Sequence, residues 1–405
     1  MKVAIVGAGA AGCFCAANLR RMLPMAELTL FERGLHPLAK VAITGGGRCN
    51  LTNTFRDITH LQQAYPRGWR LMQRLFREFS PEDTMRWWEE VGVPLVVQDD
   101  QCVFPRSQDA MQVVRTLLHL ISGHDVKSTI QTQTKVTRVE QGRLFYETQF
   151  GEEEQQYDKL VVTTGGSPRL SGLSFLSSLD LNIEPPVPSL FAFNIDEPSL
   201  HALTGTVVER VHVAIPGTKF QADGPLLITH FGMSGPAILR LSSYAARYLA
   251  EQDYKANLTV NWMEGLNEEQ ARETLRPYLD SGKLICNHHP NHLTARHWAM
   301  LLQRASIPES HRWDCLNRKE LNRLINTLTA DIYTIQGRRA YKAEFVTCGG
   351  ISLSNLNPQT LALKSYPDIY LAGEMLDVDG ITGGFNLQAA WTMGYVIAKS
   401  IAGTL

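Results

Sequence analysis

The chain opens on an unbroken apolar run, Val3-Ala4-Ile5-Val6, followed with no spacer by Gly7-x-Gly9-x-x-Gly12. A run of this kind predicts a strand buried on both faces, and the small residues behind it (Ala10, Ala11, Ala16, Ala17) predict a helix that packs closely on it. Leu28-Thr29-Leu30-Phe31 predicts a second buried strand that ends on Glu32. Leu71, Leu75, Phe76 and Phe79 recur at helical spacing from Trp69 to about Glu90, and Ser80-Pro81-Glu82-Asp83 caps a second helix in that stretch. Cys102-Val103-Phe104-Pro105 reads as a short edge segment, after which Ser107-Gln108-Asp109 opens a helix through Leu120 and Ile121. Alternation from Val126 to Val139, then Leu144-Phe145-Tyr146, predicts a hairpin. Asp158 to Val162 predicts a buried strand that returns to the first sheet and ends in Thr163-Thr164-Gly165-Gly166.

The pattern changes at Glu184-Pro185-Pro186-Val187-Pro188, a proline-rich hinge where a domain boundary is expected. Leu190 to about Asn261 reads as short strands, interrupted by the turn Phe231 to Pro236 and a helix from Ala237 to Ala250; Asn267 to about Thr329 reads as helical. The opening style then resumes: Tyr366 to Ala372 predicts a buried strand running into Gly373-Glu374, and a final helix through Ile401 follows Gly383-Gly384. The expected fold is α/β. A Rossmann-like domain, with a mixed sheet and a βαβ start, is assembled from residues 1–188 and 340–405; a β-rich domain (189–262) and a helical subdomain (263–339) are inserted in it.

Composition narrows the setting. A chain of 405 residues with 44% hydrophobic content can build more than one core. A formal charge of −1 supplies no global field for nucleic acid or an anionic membrane, and no apolar run has the length of a membrane span, so a cytoplasmic protein without nucleic-acid or membrane partners is expected. The seven cysteines are scattered without a CxxC pair, which indicates neither a disulfide framework nor a metal site. Cys13 and Cys15, on the helix after the glycine turn, read as buried structural thiols.

The glycines carry the chemistry. Gly7 permits a tight turn, Gly9 lets a pyrophosphate approach the backbone, and Gly12 lets helix pack on strand, while the helix start directs N–H groups and its positive dipole end at phosphate. Glu32, next to Arg33, is placed to accept bonds from ribose hydroxyls. Lys40 leads into the string Thr44-Gly45-Gly46-Gly47-Arg48-Cys49-Asn50-Leu51-Thr52-Asn53, a donor-dense backbone suited to cradling a polar cofactor. Thr164-Gly165-Gly166 end one strand; Gly373-Glu374 end another, with the acid in reach of a ribityl hydroxyl. Asp379-Gly380 and Gly383-Gly384-Phe385-Asn386-Leu387-Gln388 open the last helix toward a ligand. Four glycine-bearing strand ends, at both termini and between, need a cofactor as long as FAD.

Taken together, the Thr44–Asn53 string, Phe104-Pro105, Thr229 to Ala237, Gly373 to Gly380 and Gly383 to Ala389 resemble the two-dinucleotide-binding-domain flavoproteins. More narrowly the chain resembles the bacterial BaiN-like or aminoacetone-oxidase-like NAD(P)/FAD-dependent oxidoreductases, over nearly its whole length. The resemblance implies that Gly7, Gly9 and Gly12, with Ala10 and Ala11, hold the pyrophosphate, Glu32 the adenosine ribose and the Val136 backbone the adenine. It places Thr44 to Asn53 on the flavin side, Gly373 and Glu374 at the ribityl chain, and Gly384 to Gln388 at the pyrimidine edge, where N–H groups stabilise an anionic reduced flavin. Many two-domain flavoproteins carry aspartate where this chain has Glu374.

For catalysis the candidates are Arg48, which can stabilise negative charge, and His230, an acid or base beside a glycine turn of the inserted domain. The leading expectation is hydride transfer between a small organic substrate and FAD. No second GxGxxG supplies a separate nicotinamide domain, so NAD(P)H binds transiently as reductant or the substrate itself reduces the flavin. The second case is an amine oxidase that passes electrons to O₂. An RNA-associated flavoprotein and a non-catalytic FAD-binding scaffold are the remaining alternatives.

Overall fold

The computed structural model describes residues 1–122, 128–149, 151–167, 169–339 and 346–403. It divides into two compact units, Met1–Pro188 with Val346–Leu405, and Ser189–Phe345. Val126 and Lys127, at the start of the expected hairpin, and residues 340–345, at the expected domain junction, lie outside the described residues.

The first unit is organised on five strands. β1 (Lys2–Val6) leads through helix α1 (Ala10–Met22) to β2 (Glu27–Phe31), and the sheet order is Ile369–Leu371, Lys159–Val162, β1, β2, Ser128–Gln131. All four pairings are parallel, so the mixed character expected of this sheet lies instead in a separate antiparallel layer of Lys135–Glu140, Arg143–Thr148 and Gly151–Gln156. The order reverses at β1, which puts a ligand crevice at the carboxyl ends of β1 and Lys159–Val162. Helix α1 and the C-terminal helix Phe385–Gly403 cross tightly, because a Cβ on Gly394 would stand 2.7 Å from the Ala11 carbonyl oxygen.

Several expected elements take other partners. Ser128–Gln131, read as part of a hairpin, pairs with β2, and the hairpin begins only at Lys135. Cys102–Pro105 is the middle strand of a three-stranded sheet and not an edge, flanked by Thr52–Asn53 and Leu95–Val97. The proline-rich hinge is part of a strand, Ile183–Ser189, paired with Val346–Ile351. A two-stranded ribbon has two free edges, so prolines without N–H groups cost it little. The predicted caps hold: Ser80 accepts from the Asp83 N–H at 3.2 Å, and Asp109 accepts from the Met111 N–H at 2.8 Å.

The second unit is a seven-stranded antiparallel sheet covered by helices. Its order is Asp331–Ile335, Ala256–Asn261, Val207–Ala214, Gln221–Thr229, Gly232–Ser234, Ala192–Asn194, Gly337–Arg339. Asp331–Ile335 and Gly337–Arg339 are strands that lie within 263–339, the part expected as a helical subdomain. Strands and helices share one core around the buried Trp262, Trp298 and Trp313, so 189–262 and 263–339 are not separate bodies. The expected helix Ala237 to Ala250 breaks at Ala245 into Pro236–Tyr244 and Ala246–Glu251.

His297 sits in this core against the Trp262 ring, centroids 4.5 Å apart, and neither ring nitrogen has a hydrogen-bond partner among the described residues. Burial, aided by His292, lowers its pKa from 6.5 to about 4. The unfolded chain therefore takes up this proton first as pH falls. Its contribution to stability is level above pH 6.5 and declines by about 1.4 kcal/mol per pH unit from there toward pH 4. Calorimetry across this range should show a shallower decline for His297→Phe than for the wild type; equal slopes would remove His297 as the cause.

Candidate cofactor site

The carboxyl edge of the parallel sheet is built by backbone clearance. Gly7 has φ of 102°, and a Cβ there would stand 2.5 Å from the Thr163 carbonyl oxygen. A Cβ on Gly12 would collide with the Gly7 carbonyl and the Thr163 hydroxyl, the latter bonded to Gly7 O at 2.8 Å. Gly9 differs: its φ is −88°, it caps α1, and nothing lies within 4 Å of where its Cβ would be. Two glycines thus close strand on helix while the third leaves open space at the helix start. That combination fits a pyrophosphate, which needs N–H groups and no side chain in its way.

Glu32, half-buried at the end of β2, accepts from the Ala8 N–H at 3.1 Å and the Gly34 N–H at 2.7 Å, which fixes the carboxylate beside the glycine turn. Arg33 is exposed next to it, and Val136 is buried at a bulge in the strand Lys135–Glu140. Ala10 and Ala11 form the first turn of α1. Cys13 and Cys15 are fully buried on that helix, and burial pushes both thiols far up from the ordinary range.

The string expected to cradle the cofactor begins within a helical turn, Ala39–Gly47, which breaks at Thr44; Gly45 and Gly46 take left-handed conformations. The Thr44 hydroxyl donates to Val41 O at 2.8 Å, and Cys49 is buried with its thiol pushed up to about 12, the Thr44 bond opposing that rise. Arg48 is exposed, donates from Nε to Gly45 O at 3.1 Å, and lies 4.7 Å over the Phe104 ring. The guanidinium thus braces the glycine turn in addition to carrying charge. Both Arg48→Lys and Arg48→Met are expected to weaken FAD binding about tenfold, since each loses the Nε bond and the planar stacking. Full affinity in the lysine variant would show that charge alone suffices.

The rest of the string is tied to the C-terminal segment. The Asn50 amide donates to Thr52 O at 2.9 Å and accepts from the Gly384 N–H at 3.2 Å. Asn53 donates to Gly383 O at 3.2 Å, and the Thr52 hydroxyl donates to Gln388 Oε1 at 2.5 Å. Gln388 is wholly buried and also donates to Thr84 and Thr392. Its side chain therefore locks the helix in place. Its N–H bonds to Gly384 O, which leaves the N–H groups of Phe385, Asn386 and Leu387 ahead of the helix ladder. Asn386 clasps Gly380 through both amide atoms, and the Phe385 carbonyl accepts from the Tyr65 hydroxyl at 2.8 Å.

Asp379 is fully buried and paired with Arg67 through two bonds, Nε to Oδ1 at 2.6 Å and the second from the terminal nitrogen. Burial alone would lower the Arg67 pKa, but the bonds and charge of Asp379 outweigh it and the net direction is up. Arg67 escaped the sequence reading because its partner is 312 positions away and no motif joins them. Thr163 was within reach of that reading, as the residue before Thr164-Gly165-Gly166. Gly373 follows the strand Ile369–Leu371, and Glu374 accepts from the Thr347 N–H at 2.9 Å and pairs with Lys40 at 3.4 Å. His230 belongs to the other unit, exposed in the turn between Gln221–Thr229 and Gly232–Ser234, with its ring edge-on to Phe231.

The parallel sheet, the glycine-cleared switch point and the carboxylate at the end of β2 define a dinucleotide-binding Rossmann site. A family model described as HI0933-like protein Rossmann domain matches residues 1–400, and the chain belongs to that family. It is 29% identical over 416 residues to the ribosomal RNA dihydrouridine synthase of Escherichia coli, covering 98% of this chain and 97% of that protein. It is 24% identical to the 3-dehydro-bile acid delta(4,6)-reductase of Clostridium scindens, over 99% of both. Among solved structures, the 3-ketosteroid delta1-dehydrogenase of Sterolibacterium denitrificans shares the fold with a TM-score of 0.52 at 12% identity, covering 100% of this chain and 99% of that one. The BaiN-like resemblance and the cofactor read from the sequence agree with these findings.

Proposed function

We propose that this flavoenzyme reduces a carbon–carbon double bond conjugated to a carbonyl, with NAD(P)H as electron donor, and that its substrate is a uracil base in ribosomal RNA. The observation that carries the reading is that two relatives matched from end to end are named for such a reduction. Uracil C5=C6 is conjugated to the C4 carbonyl, as the double bonds of a delta(4,6) 3-oxo steroid are conjugated to theirs. FAD supplies the two-electron relay from nicotinamide to substrate. Hydride delivered to the far carbon builds negative charge on the carbonyl oxygen, and a proton must reach the near carbon. Arg48, beside the glycine turn, is the candidate for the charge.

The expected absence of a nucleic-acid partner rested on net charge, which averages over the whole chain and does not describe one local surface. A nucleic-acid partner is supported by relatives at 29% and 26% identity, the latter from Haemophilus influenzae, which are both named for ribosomal RNA. The second reading, a small conjugated enone, is favoured by the bile-acid reductase. Nucleoside mass spectrometry of ribosomal RNA from a strain lacking the gene decides between them. Loss of a dihydrouridine, restored by the wild-type chain, is the expected result. Unchanged RNA with enone-dependent NAD(P)H oxidation would support the second reading, and amine-dependent O₂ uptake would overturn both.

A further inference from the structure

We infer that Thr347 is a cofactor-binding residue, whose hydroxyl and the Glu374 carboxylate together hold a hydroxyl of the ribityl chain of FAD. Thr347 is 1% exposed, and its Oγ1 is buried with no hydrogen-bond partner among the described residues. Its own N–H donates to Glu374 Oε1 at 2.9 Å, so the hydroxyl and the carboxylate are neighbours. A Cβ on Gly166 would collide with both oxygens; the glycine lets them close against the backbone at the end of Lys159–Val162. Glu374 follows Ile369–Leu371, the strand paired in parallel with Lys159–Val162. The pair therefore stands at the carboxyl edge of the sheet, where the glycine turn also lies.

Buried hydroxyls are bonded as a rule, and one that is not points to a partner outside the chain. The chemistry of the pair selects that partner. Glu374 only accepts, and Oε2 already faces Lys40 at 3.4 Å; a threonine hydroxyl both donates and accepts. A ligand hydroxyl can donate to the carboxylate while it accepts from Thr347. Phosphates, which only accept, would be repelled by Glu374. Of the two hydroxyl-bearing parts of FAD, the ribose is matched by Glu32 just after β2, across β1 from Lys159–Val162. The ribityl chain remains for Thr347 and Glu374.

The test uses the full-length chain stripped of FAD, with affinities for FAD and ADP measured by titration. Thr347→Val keeps the shape and removes the hydroxyl. It should weaken FAD about tenfold, leave ADP affinity unchanged because ADP lacks the ribityl chain, and leave the melting temperature of the stripped protein no lower than wild type. Thr347→Ser should stay within about threefold of wild type for FAD. Unchanged FAD affinity in the valine variant would overturn the assignment, as would a parallel loss of FAD affinity, ADP affinity and thermal stability. Failure of the serine variant alongside valine would assign the effect to the methyl group and overturn it equally.

Discussion

Gly9→Ala is expected to yield a folded protein without FAD, and Gly12→Val a protein that neither folds well nor binds. The two positions lie three residues apart in one motif, yet they do different work. At Gly9 the backbone φ of −88° suits alanine, and open space surrounds its Cβ position, so the apo-protein should melt within about 1 kcal/mol of wild type. The same methyl would stand where the pyrophosphate approaches the helix start, and FAD affinity should fall at least about a hundredfold. At Gly12 any side chain drives into the Gly7 carbonyl and the Thr163 hydroxyl, and the backbone cannot yield without separating α1 from β1. A loss of about 3 kcal/mol or more is expected. Flavin content and melting temperature of both variants check the contrast; FAD retained by Gly9→Ala would remove the open space from the binding account.

The second large effect belongs to the Arg67–Asp379 pair. Asp379 is fully buried and the Arg67 side chain is 12% exposed, so solvent screens this pair little. Asp379→Ala would leave a guanidinium in the interior without its carboxylate, at a cost of about 3–5 kcal/mol. For a unit of this size the melting temperature should drop by about 10 °C. Asp379 also anchors the segment leading to Gly380, Gly383 and Gly384, so FAD content should fall with stability. The double variant Arg67→Met with Asp379→Leu removes both charges and should recover most of the loss in melting temperature. A single variant as stable as wild type would show that the pair holds nothing in place.

Local requirements were legible in the sequence. Gly7 and Gly12 are dictated by backbone clearance, and clearance leaves a fixed spacing next to an apolar strand. The caps at Ser80 and Asp109 were legible for a similar reason, since a helix start needs its acceptor within a few residues. Pairing was not, because a strand's pattern shows that it is buried and not by what. Ser128–Gln131 alternates equally well as a hairpin arm or as the outer strand of a parallel sheet, and Cys102–Pro105 reads the same at an edge or in the middle. Side-chain commitments were hidden too. An asparagine or glutamine near a glycine loop can face a ligand or the chain, and Gln388 and Asn386 spend their amides on Thr52, Thr84, Thr392 and Gly380. Thr347 carries no motif of its own; only its buried, unbonded hydroxyl marks it.

The central claim is that this sheet edge holds FAD, and the flavin itself reports on it. Purified protein should release a yellow cofactor on acid precipitation, and mass spectrometry of the supernatant should identify FAD in near-stoichiometric amount. FMN alone in the supernatant would contradict the account, because FMN lacks the adenosine that Glu32 is placed to hold; so would a chain that takes up no FAD on reconstitution.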